Sequence, residues 1–358
     1  MKKIFLISDS LSSGGAQRQI VMCANVLSSF GYSVSILVYH NDLFFSRFLN
    51  RSVSLISSRR SSALLRKLHL ILIIFKNRPD VLISYLLIPG FIGVLPKLIL
   101  RKRLLFITGE RNVSHVPVLL KERVLRLPHS FADLVVCNTE TQRRILSEMS
   151  YSSKLRYVPN CIDFNFHFRK REYQRSKLIR LIVLGRVELQ KNPLVVAKAL
   201  HLCKNRKLDF SVSVDWYGRY SESSDLFKAV NEYIELHDLQ DTLVFKGITN
   251  TPSEEMLKYN AFLLPSFHEG CSNALIEAMS VGMPVIASDI SDNRLYLNHQ
   301  SELLFISDND ESLFESIVEF SKKDAFTVSE IGDSNITIAR SNFSMENFRK
   351  NQMKLLDD

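Results

Sequence analysis

No Cys-x-x-Cys pair occurs in this chain, and its five cysteines (Cys23, Cys137, Cys161, Cys203 and Cys271) are odd in number and widely scattered. That argues against a disulfide framework or a thiolate metal site, and for a reducing compartment. No histidine and carboxylate set has metal-ligand spacing, since His268-Glu269 lacks the second histidine of a His-Glu-x-x-His helix. Asp308-Asn309-Asp310 matches an Asp-x-Asp metal signature only formally, late in the chain. No metal and no other cofactor is therefore expected. The Gly-x-Gly-x-x-Gly fingerprint and the Walker lysine loop are both missing, which disfavours an NAD enzyme and leaves no P-loop.

Long apolar runs are scarce as well. Lys2-Lys3 precedes Ile4 to Ile7, but Ser8-Asp9-Ser10 ends the run too soon for a signal peptide. Leu68 to Phe75 is too short to span a bilayer. Val81 to Leu100 has the length of a span and only Lys97 as a charge, yet it holds Pro89, Gly90, Gly93 and Pro96. It reads as a buried strand followed by a buried helix.

What the chain does have is apolar bulk and an uneven charge. Its 358 residues exceed the about 250–300 at which a single core stops growing, so two domains are expected. Residues 1–160 carry 23 Lys+Arg against 8 Asp+Glu, while the remainder carries 23 against 29. A net +15 half followed by a net −6 half points to an anionic surface met by the first. Arg59-Arg60, Arg66-Lys67, Lys76, Arg78, Lys97 and Arg101-Lys102-Arg103 interleave with aliphatic residues, and aromatic residues are sparse among them. This pattern suits a membrane face better than nucleic acid, with a merely solvated basic face as the alternative.

Strand and helix signals alternate. Lys3 to Ser8 reads as a strand, Ser10 to Gly15 as a loop, Ala16 to Phe30 as a helix stopped by Gly31, and Ser33 to Tyr39 as the next strand. Strand-length apolar runs follow at 81–84, 104–107 and 134–137. A polar stretch over 166–178 separates a second series that opens with Arg180 to Leu184, the loop at Gly185, and a helix starting at Pro193. Further runs stand at 212–217, 243–245, 261–264 and 284–287. This alternation implies α/β architecture: two doubly wound parallel sheets, residues 1–165 and 179–343, with a helix over 344–358 expected to pack back on the first. Such sheets bind ligands beyond the carboxyl ends of their strands, so a cleft between the two domains is the expected site.

The strongest local feature is Phe267-His268-Glu269-Gly270-Cys271-Ser272-Asn273-Ala274-Leu275-Ile276-Glu277. Ser272 or Asn273 can cap a helix that carries Ala274 and Leu275 inward and Glu277 one turn along. The loop and helix start offer amide groups and a partial positive charge to a diphosphate. A loop carboxylate can accept hydrogen bonds from sugar hydroxyls, and a helix carboxylate can accept a ribose diol. Two glutamates at this separation could also be ordinary helix-flanking acids. Arg186 and Lys191 follow the first strand of the second series and suit a departing diphosphate. Gly14 and Gly15 lack Cβ atoms, which permits close approach of a ligand to the backbone.

Glu269 and Glu277 within His-Glu-Gly-x-x-Asn-x-x-x-Glu-Ala-Met-x-x-Gly-x-Pro resemble the retaining glycosyltransferases of family 4, which have the two-domain, Rossmann-like GT-B fold. Gly14-Gly15-Ala16-Gln17-Arg18 looks like that family's Gly-Gly-Ala-Glu-Arg loop, with Gln17 replacing glutamate. Val158-Pro159-Asn160-Cys161-Ile162-Asp163 is similar to its Pro-Asn-Gly turn, with Cys161 replacing glycine. Leu184-Gly185-Arg186 through Lys191-Asn192 looks like its donor-phosphate loop. The resemblance covers nearly the whole chain.

It implies transfer of a hexose or N-acetylhexosamine from a UDP- or GDP-sugar, with retention. Donor contacts are expected at Gly14, Gly15, Arg186, Lys191, Gly218, Glu269, Gly270, Cys271, Ser272, Asn273, Ala274, Leu275 and Glu277. Glu269, Arg186 and Lys191 are the expected catalytic groups. Many members carry a histidine just after the strand that precedes Thr108; here Glu110 and Arg111 stand instead and are the expected active-site residues, ahead of His115. The basic first half and the resemblance together imply a polyprenyl-diphosphate-linked glycan acceptor at the cytoplasmic face of a bacterial plasma membrane, in O-antigen or capsule synthesis. Nucleic acid is not an expected partner. A GT-B epimerase and a non-catalytic membrane-surface protein are the alternatives.

Overall fold

The computed structural model describes residues 1–111, 120–162 and 177–357. The chain forms two compact units, Met1–Asn160 with Glu346–Asp358, and Cys161–Met345. Of the expected linker, only Lys177 and Leu178 lie among the described residues, and Leu178 already belongs to a strand.

The first unit holds a sheet of seven parallel strands. These are β1 (Lys3–Ser8), β2 (Ser33–Val38), β3 (Ser54–Ser57), β4 (Val81–Ser84), β5 (Leu105–Glu110), β6 (Leu134–Cys137) and β7 (Leu155–Tyr157). The central strands are buried on both faces, which accounts for their near-continuous Ile, Leu and Val. The helices between them are α1 (Gly15–Ser29), α2 (Ala63–Asn77), α3 (Leu87–Leu100), α4 (Leu120–Leu125), α5 (Leu127–Phe131) and α6 (Glu140–Leu146). The spatial order is β3-β2-β1-β4-β5-β6-β7. Strand order reverses at β1 and β4, so the loops after these strands diverge and leave a crevice at their carboxyl ends.

The second unit repeats the design with six parallel strands in the order β10-β9-β8-β11-β12-β13. They are β8 (Leu178–Leu184), β9 (Ser211–Tyr217), β10 (Leu243–Gly247), β11 (Ala261–Leu264), β12 (Val285–Ser288) and β13 (Leu304–Phe305). The helices are α7 (Pro193–Asn205), α8 (Asp225–Leu236), α9 (Pro252–Met256), α10 (Asn273–Ser280), α11 (Asn293–Leu297), α12 (Asp310–Ser321) and α13 (Ala325–Phe343). One face of the sheet buries Trp216, Val196 and Phe320; the other buries Phe262, Met279 and Phe343. The reversal falls between β8 and β11, which sets the loops carrying Lys191 and Glu269 side by side.

A last helix, α14 (Met345–Asp357), belongs mostly to the first unit. Its Gln352 Oε1 accepts from Cys23 Sγ on α1 at 3.4 Å and from Tyr85 Oη after β4 at 3.2 Å. Two expectations are corrected here. Glu110 ends β5 instead of standing in a loop. α3 is only half-buried: Ile92, Gly93 and Pro96 face the sheet while Ile88, Leu95, Leu98 and Ile99 are exposed.

Candidate functional site

In the second unit the site grows from three loops at the switch point. After β8 the chain passes Gly185 and makes a single tight turn over Leu189–Lys191. Asn192 then takes a left-handed conformation with φ 47°, which asparagine tolerates better than most residues. Its side chain caps α7 by accepting from Val195 N at 3.4 Å, and Pro193 fills the first helical position. Lys191 is thus fixed at the exit of a rigid turn. Its aliphatic stem lies over Gly185, where a Cβ would stand 3.0 Å from Lys191 Cε.

The loop after β9 is drawn against this turn. Gly185 N donates to Tyr217 O at 2.9 Å, Trp216 Nε1 donates to Gly185 O at 2.8 Å, and Val187 N donates to Arg219 O at 3.0 Å. Gly218 packs so closely that a Cβ would fall 1.9 Å from Gly185 O. Only glycine fits there, because the obstacle is backbone.

The third loop follows β11. Phe267 N donates to Gln190 O at 2.8 Å, and Gln190 Nε2 donates to His268 O at 2.8 Å. These bonds bring Glu269 onto Lys191: Nζ lies 2.5 Å from Oε1, with the side chains 17% and 9% exposed. Ser266 Oγ donates to the same carboxylate oxygen at 2.7 Å. Gly270 and Cys271 are half-buried beyond it, and Ser272 accepts from Leu275 N at 3.4 Å as the cap of α10. Leu275 sends its side chain into the core, while Asn273 and Ala274 in the first turn of α10 are partly exposed. Glu277 is buried at 9% exposure. Arg186 is less confined: its guanidinium is 56% exposed and pairs with Glu188 at 2.8 Å.

The arrangement is an ion pair at the positive end of a helix, walled by closely packed glycines. A cation and a carboxylate so placed can separate onto two parts of one ligand, Lys191 to an anionic group and Glu269 to hydroxyl donors.

The first unit gathers a different cluster. Glu110 accepts from Arg126 Nε at 2.5 Å and from Arg126 Nη2 at 3.1 Å. It also accepts from Gln142 Nε2 at 2.5 Å, and His129 Nε2 lies 3.0 Å from Oε1. His129 Nδ1 in turn lies 2.8 Å from Thr108 Oγ1. All these side chains are buried. Burial works to lower the Arg126 pKa, but the hydrogen bonds and charge of Glu110 outweigh it and hold the guanidinium above its ordinary value. Glu110 is thereby committed to four hydrogen bonds from three side chains. Sequence reasoning did not find Arg126, His129 or Gln142; the first two reach it from the start of α5 and the third from α6.

Arg111 stands next to it with 8% exposure. Its Nη1 donates to Asn160 Oδ1 at 2.8 Å, and its Cζ lies 4.0 Å over the Tyr85 ring. Its Nε and Nη2 have no hydrogen-bond partner among the described residues. His115 lies outside the described residues. Gly14 precedes α1, where a Cβ would meet Gln17 Oε1 at 2.2 Å; Gln17 Nε2 donates to Asp9 Oδ1 at 3.1 Å. Gly15 is the first residue of that helix. Among the described residues no group of three or more His, Cys, Asp and Glu side chains is placed to hold a metal ion.

Comparison with known proteins places this geometry in a family. Residues 13–166 match the model of Glycosyltransferase Family 4, and residues 179–323 match that of Glycosyl transferases group 1. The chain is 22% identical over 171 residues to an uncharacterized glycosyltransferase of Methanocaldococcus jannaschii, an alignment covering 45% of this chain and 41% of that protein. It is 31% identical over 129 residues to the UDP-Gal:alpha-D-GlcNAc-diphosphoundecaprenol alpha-1,3-galactosyltransferase of Escherichia coli, covering 36% of this chain and 32% of that one. Both alignments thus span less than half of the relative. Alignment with a GalNAc-alpha-(1->4)-GalNAc-alpha-(1->3)-diNAcBac-PP-undecaprenol alpha-1,4-N-acetyl-D-galactosaminyltransferase of Campylobacter jejuni is longer: 24% identity over 323 residues, 87% of this chain and 84% of that protein. Among solved structures, Anabaena HepE in complex with UDP and glucose shares the fold at TM-score 0.82 and 16% identity, covering 100% of both chains. Two Rossmann-like parallel-sheet units, two matched models that together take up most of the sequence, and the paired switch-point loops agree: the chain belongs to the family 4 glycosyltransferases and has the GT-B fold.

Proposed function

We propose that this glycosyltransferase moves a hexose or N-acetylhexosamine from a UDP- or GDP-sugar to a polyprenyl-diphosphate-linked glycan, with retention, in surface-polysaccharide synthesis. The observation that carries the donor half is the Lys191–Glu269 pair beside the capped start of α10. In this reading Lys191 leaves Glu269 for the diphosphate, and Arg186 leaves Glu188 and closes on it from the rim. Glu269 then accepts from the sugar hydroxyls, and Glu277 from the ribose. The anomeric carbon–oxygen bond to the diphosphate breaks as the acceptor oxygen bonds to that carbon on the same face. The acceptor proton passes to the departing phosphate oxygen, so no separate strong base is required. Fixed cations supply the charge compensation for which other transferases use a metal.

Glu110 serves in this scheme by holding the end of β5, and Arg111 by meeting the substrate. The acceptor half is supported by the acceptors named for the Escherichia coli and Campylobacter jejuni relatives, and by the basic first half of the chain. It sets the enzyme at the cytoplasmic face of the bacterial plasma membrane. The test is a thermal-shift screen over UDP-, GDP- and TDP-sugars, followed by transfer to a polyprenyl-diphosphate saccharide and NMR of the new anomeric centre. Stabilisation by one nucleotide class and an axial-to-axial outcome are expected. No donor that stabilises the protein, or an inverted product, would refute the reading.

A further inference from the structure

α3 is apolar on every side but that of Lys97. Such a helix belongs inside a protein or a bilayer, because an uncovered apolar face is unfavourable in water. Its inner side meets the sheet through Ile92, Gly93 and Pro96. Its outer side shows Ile88 at 52%, Phe91 at 38%, Leu95 at 47%, Leu98 at 51% and Ile99 at 59% exposure. These positions recur at helical spacing, so they form one stripe. Lys97, the single charged residue of the helix, turns away from that stripe and pairs with Asp133 at 2.6 Å. It also donates to the carbonyls of Arg101 and Leu104.

The neighbouring α2 repeats the pattern. Leu64, Leu68 and Leu72 are 67%, 45% and 65% exposed and lie four residues apart. Both helices follow crossovers running in the same direction along the sheet, which puts them on one face. Cations frame the stripes: Arg59, Arg60 and Lys76 around α2, and Arg101, Lys102 and Arg103 at the end of α3, are all exposed. Between residues 59 and 103 the single carboxylate is Asp80, and it accepts from Lys3 N at 2.7 Å.

We infer that this α2–α3 face of the first unit docks on an anionic lipid surface, with its leucines inserted among the acyl chains and its basic rim on the headgroups. Charge decides the occupant. A second copy would set two basic rims against each other, whereas anionic lipid complements both the rim and the stripe. The helix lies in the surface and does not cross it. Fourteen residues rise only ~21 Å against the ~30 Å of a hydrocarbon core, and no helix among the described residues is long and apolar enough to span. The inference deepens the lipid-linked acceptor reading but is tested apart from it, since vesicle binding needs neither donor nor turnover.

The experiment is flotation of the full chain with phosphatidylglycerol–phosphatidylethanolamine vesicles at low salt and at 1 M salt. Wild type is expected to float at both, with a salt-resistant fraction. The combined variant Leu68→Ser, Leu72→Ser, Leu95→Ser and Leu98→Ser is expected to lose that fraction, each leucine lowering partition by about 10-fold. The variant Arg101→Gln, Lys102→Gln and Arg103→Gln should keep the salt-resistant fraction and lose about 100-fold in low-salt binding. These positions are exposed, so melting temperatures should hold; if the four-site variant does not fold, Leu72→Ser with Leu98→Ser gives the same comparison at about 100-fold. Flotation of the leucine variants equal to wild type would overturn the inference. So would a wild-type dimer in sedimentation that the leucine variants dissociate without any change in flotation, which would assign the face to a second copy.

Discussion

Glu110→Ala separates a positioning role from a chemical one. The substitution removes a carboxylate that accepts four hydrogen bonds and takes from the Arg126 side chain, 3% exposed, its 2.5 Å ion-pair partner, with Glu122 farther off at 3.6 Å. Uncovering one member of a buried ion pair costs about 3–5 kcal/mol. For a unit of this size that corresponds to a fall of roughly 6–20 °C in melting temperature. Because Arg126, His129 and Gln142 all lose a partner, the change should be confined to the first unit. The assay is calorimetry with and without nucleotide. The first-unit transition should fall, while nucleotide should still raise that of the second unit. Substituting both ends, Glu110→Met with Arg126→Met, should recover part of the loss, since no buried charge is then stranded. An unchanged melting temperature with abolished turnover would refute this reasoning and make Glu110 a reacting group.

Other expectations follow from the second unit. Glu269→Ala strips Lys191 of its partner and the sugar of its acceptor; turnover should fall about 100- to 1000-fold in a donor-consumption assay, the usual scale for a lost charge-stabilising group. Gly218→Ala forces a Cβ against the Gly185 carbonyl, so the loops after β8 and β9 must part, at about 1–3 kcal/mol in chemical denaturation. Burial pushes the thiol pKa of Cys23 up to about 11 and those of Cys137 and Cys203 up to about 12. They stay neutral thiols at pH 8 and should resist a disulfide reagent. Half-buried Cys271, beside Glu269, should be modified first, and nucleotide should slow its modification.

The switch-point loops were legible in the sequence because each needs particular residues in a short stretch: Lys191-Asn192-Pro193 for a turn that ends in a capped helix, and Ser272 for the next cap. The long strands were legible from their apolar runs. β3, β7 and β13 were not, since Ser54–Ser57, Leu155–Tyr157 and Leu304–Phe305 are short and pair at or near sheet edges. The partners of Glu110 were hidden for a different reason. Arg126, His129 and Gln142 meet only after the chain has folded, and nothing local to any of them signals the meeting. The outer face of α3 was misread as core because a nearly all-apolar helix carries no periodic contrast to show which side is covered. The pairing of Arg186 with Glu188 was equally invisible, since Arg186 was expected to meet a diphosphate.

Titration calorimetry of UDP and GDP into the wild-type chain and into Lys191→Ala tests the central claim, that the second-unit switch point grips a diphosphate, most directly. One nucleotide should bind the wild type, and the variant should bind it at least about 10-fold more weakly, as expected for one charge-assisted contact of about 1.5–3 kcal/mol. Equal affinity in both proteins would contradict the account.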